Sequence, residues 1–162
     1  MELTGKLADA FNDQITLELH ASTVYRQLSI EMDALSLSGI AGWFRAQAAE
    51  ELEHAEKFIA HVIDRSAHPV IGAMAAPSVS VSTVEDAFEI SLGHEKKVSE
   101  AIRDLYRLAQ NEGDIDSIPL LHWFIEEQVE EEATVGGILE RIKMINNDGN
   151  GLLRLDAELA AR

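Results

Sequence analysis

Glu51 and His54, within the stretch ELEH, form a Glu-x-x-His pair, and three more glutamates, Glu18, Glu95 and Glu131, sit at matching places elsewhere in the chain. A carboxylate and an imidazole three residues apart on a helix share one face. Carboxylates with a neutral imidazole suit iron or manganese, with zinc also possible. One inward glutamate from each of two helices plus a Glu-x-x-His from a partner is the ligand vocabulary of carboxylate-bridged two-metal sites. The chain has no cysteine, which removes thiolate sites and with them the usual structural zinc sites.

Such residues need long helices to position them. The spacing of apolar residues predicts helices over about 4–35, 38–68, 83–111 and 115–146, with a short amphipathic one over about 151–160. Ser82 or Thr83 is the expected N-cap of the third, with Glu85 and Asp86 in its first turn. Pro119 is tolerated early in the fourth, and NNDGNG stops it. Short loops join the first pair and the second pair, so each pair is antiparallel. The link PVIGAMAAPSVSVS is longer: about 14 residues reach about 45 Å at about 3.3 Å each. A helix of about 28 residues is about 42 Å long. The link can therefore cross the bundle and set the third helix parallel to the second.

Alternating steps of three and four pick out each inward stripe. They read Leu7, Phe11, Gln14, Glu18, Ala21, Tyr25, Leu28, Met32; then Ile40, Phe44, Gln47, Glu51, His54, Phe58, His61. The third and fourth read Val84, Phe88, Ser91, Glu95, Val98, Ile102, Leu105 and Leu121, Phe124, Gln128, Glu131, Val135, Ile138, Ile142, Ile145. Each stripe is apolar at both ends and carries one glutamate near its middle. Mid-helix positions share one height whichever way a helix runs, so four glutamates form one layer. No Lys or Arg lies on these stripes to neutralise them, and unpaired buried carboxylates are costly. A bound cation is the simplest compensation.

The remaining polar residues divide. Tyr25 reads either as a core aromatic or as a hydrogen-bonding and redox neighbour of the metals. Gln14 and Gln47 read as ordinary buried amides or as supports for the ligands. His20, His61, His68, His94 and His122 read as surface or core-edge histidines, and Trp123 as packing. In FIEEQVEEEA, Gln128 and Glu131 fall on the stripe, Glu127 and Glu130 beside it, and Glu126 and Glu132 read as solvated charge.

Composition narrows the function classes. The formal net charge of −16 argues against nucleic acid, whose phosphates need a basic footprint, and favours cations. With 46% hydrophobic and 26% charged residues the chain is globular. It shows no secretory signal pattern and no apolar run of membrane-spanning length. The expectation is a cytoplasmic protein with no membrane partner.

The segments LELHASTVYRQL, RAQAAEELEHAEKF, GHEKKV and FIEEQVEEE, with the short C-terminal helix, resemble the prokaryotic non-haem ferritins in order and spacing. The resemblance covers nearly the whole chain. It implies one all-α domain over 1–162: a ferritin-like four-helix bundle with one long crossover and a short fifth helix. It implies a di-iron centre, with one iron held by Glu18, Glu51 and His54. The other would be held by Glu51 as bridge, Glu95 and Glu131, with Gln128 close by. A third iron site would take Glu50, Glu127, Glu130 and Glu131, and Tyr25 matches the tyrosine near the di-iron centre. Thr134 and Leu52 stand where bacterioferritins carry a metal-binding histidine and a haem-binding methionine, so no haem is expected. The implied activity is ferroxidase-coupled iron storage: Fe2+ oxidised by O2 or H2O2, with Fe3+ mineral held in a homo-oligomeric shell of 24 subunits. Two other readings are a di-iron oxidase or peroxidase that stores nothing, and an acidic helical interaction module.

Overall fold

The computed structural model describes residues 2–161. Among them are five helices and no strand: α1 (Gly5–Ala34), α2 (Ser38–Asp64), α3 (Val84–Asn111), α4 (Ile118–Ile145) and α5 (Gly149–Leu159). Helix starts follow local chemistry. Thr83 caps α3 through a reciprocal box: its hydroxyl accepts from the Asp86 backbone N–H at 3.1 Å, and the Asp86 carboxylate accepts from the Thr83 N–H at 2.8 Å. The N-terminus of α2 has no cap of its own. Asp156 on α5 supplies one, accepting from the Ile40 N–H at 2.8 Å. Gly39 is needed there, because a Cβ would lie 2.0 Å from the Asp156 carbonyl oxygen. Leu155 and Leu159 bury the apolar face of α5 against the same end of the bundle.

Three helix ends differ from the pattern expected from sequence. α2 stops at Asp64, four residues before His68. Ser66 takes a left-handed φ of 57°, and the Arg65 carbonyl accepts from the Leu3 N–H at 3.0 Å. The Arg65 guanidinium meanwhile grips Asp114 at 2.6 and 3.2 Å and Ser117 at 3.0 Å. That same clasp takes residues 114–117 into a turn, so α4 begins at Ile118 rather than at 115. α5 begins two residues earlier than expected, because Asp148 accepts from the Gly151 N–H at 2.8 Å and caps it.

The core consists of two apolar clusters. One joins the end of α1 (Tyr25, Leu28, Met32), the starts of α2 and α3 (Ile40, Phe44, Val84, Phe88) and the end of α4 (Val135, Ile142). The other joins the start of α1 (Phe11, Ile15), the ends of α2 and α3 (Phe58, Val62, Ile102, Leu105) and the start of α4 (Leu121, Phe124). α2 and α3 therefore run parallel to each other, and α1 and α4 run the opposite way. The connection over 65–83 must cross from one end of the bundle to the other. Between the two clusters the buried residues are polar, and that layer holds the site.

Candidate metal centre

Glu18, Glu51, His54, Glu95, Gln128 and Glu131 are all buried in the mid-bundle layer. Glu18 and Glu95 are fully shielded from solvent, at 0% exposure. Apolar packing above and below makes this possible. Phe58 stacks on Phe124 at 4.0 Å between centroids, and the His54 ring stands edge-on to Phe124 and Trp123 at 5.5 and 5.8 Å. Trp123 roofs the imidazole and carries the Lys57 ammonium 4.6 Å above its own ring. Its role thus goes beyond the packing expected from sequence.

One corner of the layer lacks hydrogen-bond partners. Donor atoms of Glu18, Glu51 and His54 lie within 4.8 Å of one another, the spacing of ligands around one ion. Glu51 Oε2 and His54 Nδ1 face each other at 3.4 Å. These two atoms and Glu18 Oε2 are enclosed without a hydrogen-bond partner. Orphaned buried polar atoms are rare and call for a reason. The other oxygen of Glu18 accepts from Gln14 Nε2 at 2.7 Å, which aims the free one. Burial pushes the Glu18 carboxyl well above the ordinary carboxylate range, with the Glu51 charge adding to it. Burial does the same to Glu51, reinforced by Glu95. A cation among these atoms reverses both effects.

The opposite side of the layer is tied to protein donors. Glu95 accepts from the Tyr25 hydroxyl and, at 3.1 Å, from Gln128 Nε2. Glu131 accepts from Gln47 Nε2 at 3.0 Å. Burial still raises the Glu95 carboxyl, and the bonds from Tyr25 and Gln128 counter it. Tyr25 itself is pushed up by burial and then by the Glu95 charge, so its phenol stays protonated and donates. Tyr25 is a core aromatic whose hydroxyl also donates to Glu95, and Gln14 and Gln47 each donate to a carboxylate.

Other candidates lie further out. Glu50 and Glu127 are half-buried and Glu130 is exposed. Among the described residues, Glu18–Glu51–His54 is the one trio at ligand spacing; Glu50, Glu127, Glu130 and Glu131 do not converge to it. Glu132 is not the solvated charge that its place in the run indicated. It is 26% exposed, accepts from Ser99 Oγ at 2.5 Å and faces Arg103 at 3.6 Å. Ser99 in turn receives Gln128 Nε2 at 3.3 Å, so a chain of contacts runs from Glu95 through Gln128 and Ser99 to Glu132. Sequence reasoning missed Ser99; its place one turn after Glu95 was the available signal. His68 and His122 are exposed, His61 is half-buried on Ser117 at 2.8 Å, and His20 and His94 are half-buried. Burial holds His94 at a pKa of about 4, with His20 adding to it.

A four-helix bundle with a crossover and a buried carboxylate–histidine layer defines a class, the ferritin-like metal proteins. Comparison with known proteins agrees. The ferritin family, described as a ferritin-like domain, matches residues 8–145, and this chain belongs to it. It is 34% identical over 160 residues to the bacterial non-heme ferritin of Staphylococcus epidermidis, covering 99% of this chain and 96% of that one. The Staphylococcus aureus protein of the same name matches equally, at 34% over 160 residues. An open pore ferritin from the hyperthermophilic archaeon Archaeoglobus fulgidus superposes with a TM-score of 0.96 at 34% identity, covering 99% of this chain and 98% of that one. A humanized archaeal ferritin gives 0.97 at 33% identity, covering 99% of each chain.

Proposed function

We propose that this protein oxidises Fe2+ at the mid-bundle layer and stores the Fe3+ as a hydrated oxide inside a shell of 24 copies. The observation that carries the reading is the trio Glu18, Glu51 and His54, with three enclosed ligand atoms that have no hydrogen-bond partner. Iron is the substrate here. Glu18 and His54 hold one Fe2+, Glu51 bridges to a second, and Glu95 and Glu131 complete the second position. Gln14, Gln47, Gln128 and Tyr25 keep those carboxylates aimed before iron arrives. Hard carboxylate oxygens favour Fe3+ over Fe2+, which lowers the cost of removing an electron. Each Fe2+ gives up one electron. O2 takes the pair with two protons and leaves as H2O2, or H2O2 takes the pair with two protons and leaves as two waters. Glu50, Glu127, Glu130 and Glu131, which do not lie at ligand spacing in the metal-free chain, would draw together around a third iron on the α2/α4 side.

The family membership supports self-association into a shell. Exposed aliphatic side chains such as Val70, Ile71 and Met74 on the crossover supply apolar area for contacts between copies. No described helix is long and apolar enough to cross a membrane. A cysteine-free chain suits the reducing cytoplasm, where the reading places the protein. The test is aerobic addition of Fe2+ to wild type and to a Glu51→Ala/His54→Ala double variant, following ferric absorbance. An equal initial rate in the two sinks the assignment. Solution mass and iron per chain then separate storage from oxidation alone, because a monomer or dimer cannot enclose a mineral.

A further inference from the structure

The histidines outside the layer include one pair that the proposed reaction does not use. His20 lies two residues after Glu18 on α1, and His94 lies one residue before Glu95 on α3. At about 100° per residue, both side chains leave the inward stripe. They meet beside it, with ring centroids 6.1 Å apart and planes at 48°. Tyr25 stands edge-on to the His94 ring at 6.3 Å. His94 Nε2 is enclosed and has no hydrogen-bond partner. A buried imidazole nitrogen left without a partner costs free energy that a ligand recovers.

We infer that His20 and His94 form a separate two-imidazole site for a divalent cation of the zinc or copper type. Imidazole binds zinc through nitrogen at about 2.0–2.1 Å. Two rings on one tetrahedral ion stand with centroids about 5 Å apart, so the observed 6.1 Å needs a closing movement of about 1 Å, within the reach of side-chain rotation. Ligand softness sets the preference: a pair of imidazoles with water completing the shell favours Cu2+ and Zn2+ over the harder ions that carboxylates prefer. The layer is thus flanked by two different chemistries: carboxylates of Glu50, Glu127 and Glu130 on α2 and α4, and imidazoles on α1 and α3. The inference stands on the ring geometry and does not need the ferroxidase reading.

Equilibrium dialysis of the full-length protein against Zn2+, with metal counted per chain, tests it. His20→Phe keeps an aromatic ring of similar size and is expected to lose one Zn2+ per chain, with helix content unchanged by circular dichroism. The Glu51→Ala/His54→Ala variant is expected to keep that Zn2+ while losing metal from the buried trio. Anomalous diffraction from zinc-soaked wild-type crystals supplies the second readout, with a zinc peak expected between the two rings. Equal Zn2+ counts in wild type and His20→Phe overturn the site, and so does a water between the rings at saturating zinc. Equal counts in wild type and the double variant instead count against the trio and leave the imidazole pair standing.

Discussion

The two sides of the polar layer are equally buried and differ in what their carboxylates touch. Glu18 and Glu51 each keep one enclosed oxygen with no hydrogen-bond partner, beside a His54 nitrogen that also has none. Glu95 and Glu131 are held by Tyr25, Gln128 and Gln47, side chains that donate across helices. The first side lacks the donors that would complete its hydrogen bonding, whereas the second is already partly completed by protein. The contrast separates carboxylates open to a cation from carboxylates already tied to protein donors. It also locates the strain: charge repulsion and lost solvation concentrate at Glu18 and Glu51.

The largest expected effect breaks the first side outright. Glu51→Ala/His54→Ala removes the bridge and the imidazole, and the initial rate of Fe2+ oxidation is expected to fall by more than about 100-fold, since losing even the supports around ligands costs about 10–100-fold. Stopped-flow absorbance checks it. Next is the support of the second side. Gln128→Leu or Tyr25→Phe is expected to weaken the second metal by about 10–100-fold while leaving the first unchanged. Anaerobic Co2+ titration resolves the two, and equal losses at both positions would erase the distinction between the sides.

Stability of the metal-free protein sharpens the same comparison. Glu18→Gln removes a raised carboxyl and is expected to gain about 1–3 kcal/mol. At about 2–4 °C per kcal/mol, calorimetry should show a rise in Tm of several degrees. Glu95→Gln should give no gain, because Tyr25 and Gln128 donate to different oxygens of Glu95 and an amide would set its NH2 against one of those donors. pH dependence has a definite sign. Glu18 and Glu51 bind protons more tightly in the folded chain, so their contribution is full below the ordinary carboxylate range and is lost as pH climbs through their raised values. Metal-free Tm relative to Glu18→Gln should therefore fall with rising pH above that range. Excess Zn2+ should reverse the slope, because binding requires the ionised carboxylates. The smallest effect is Ser99→Ala, which frees Gln128 and Glu132 at about 0.5–1.5 kcal/mol, read as a Tm shift of a few degrees.

Much of this was legible beforehand. The inward stripes match the buried positions along all four helices, except that His61 and Ile145, at stripe ends, are only half-buried. The cap of α3 was legible as Ser82 or Thr83, of which the structure uses Thr83, and the crossover was legible in the length of the link. The end of α2 was not legible, because Arg65 answers to Asp114 and Ser117 from a distant turn. Glu132 was misread for the same reason, since its partner Ser99 lies on another helix.

The sequence by itself determined that four long helices bury one glutamate each at a common height, with a histidine one turn from one of them. Helical period and apolar spacing suffice for that, because both act over neighbouring residues. Only the tertiary structure decided which carboxylates keep unpartnered oxygens and which are tied to Tyr25, Gln47 and Gln128, and that His20 meets His94. Those outcomes depend on side chains brought together from different helices, where a rotation of one rotamer chooses the partner.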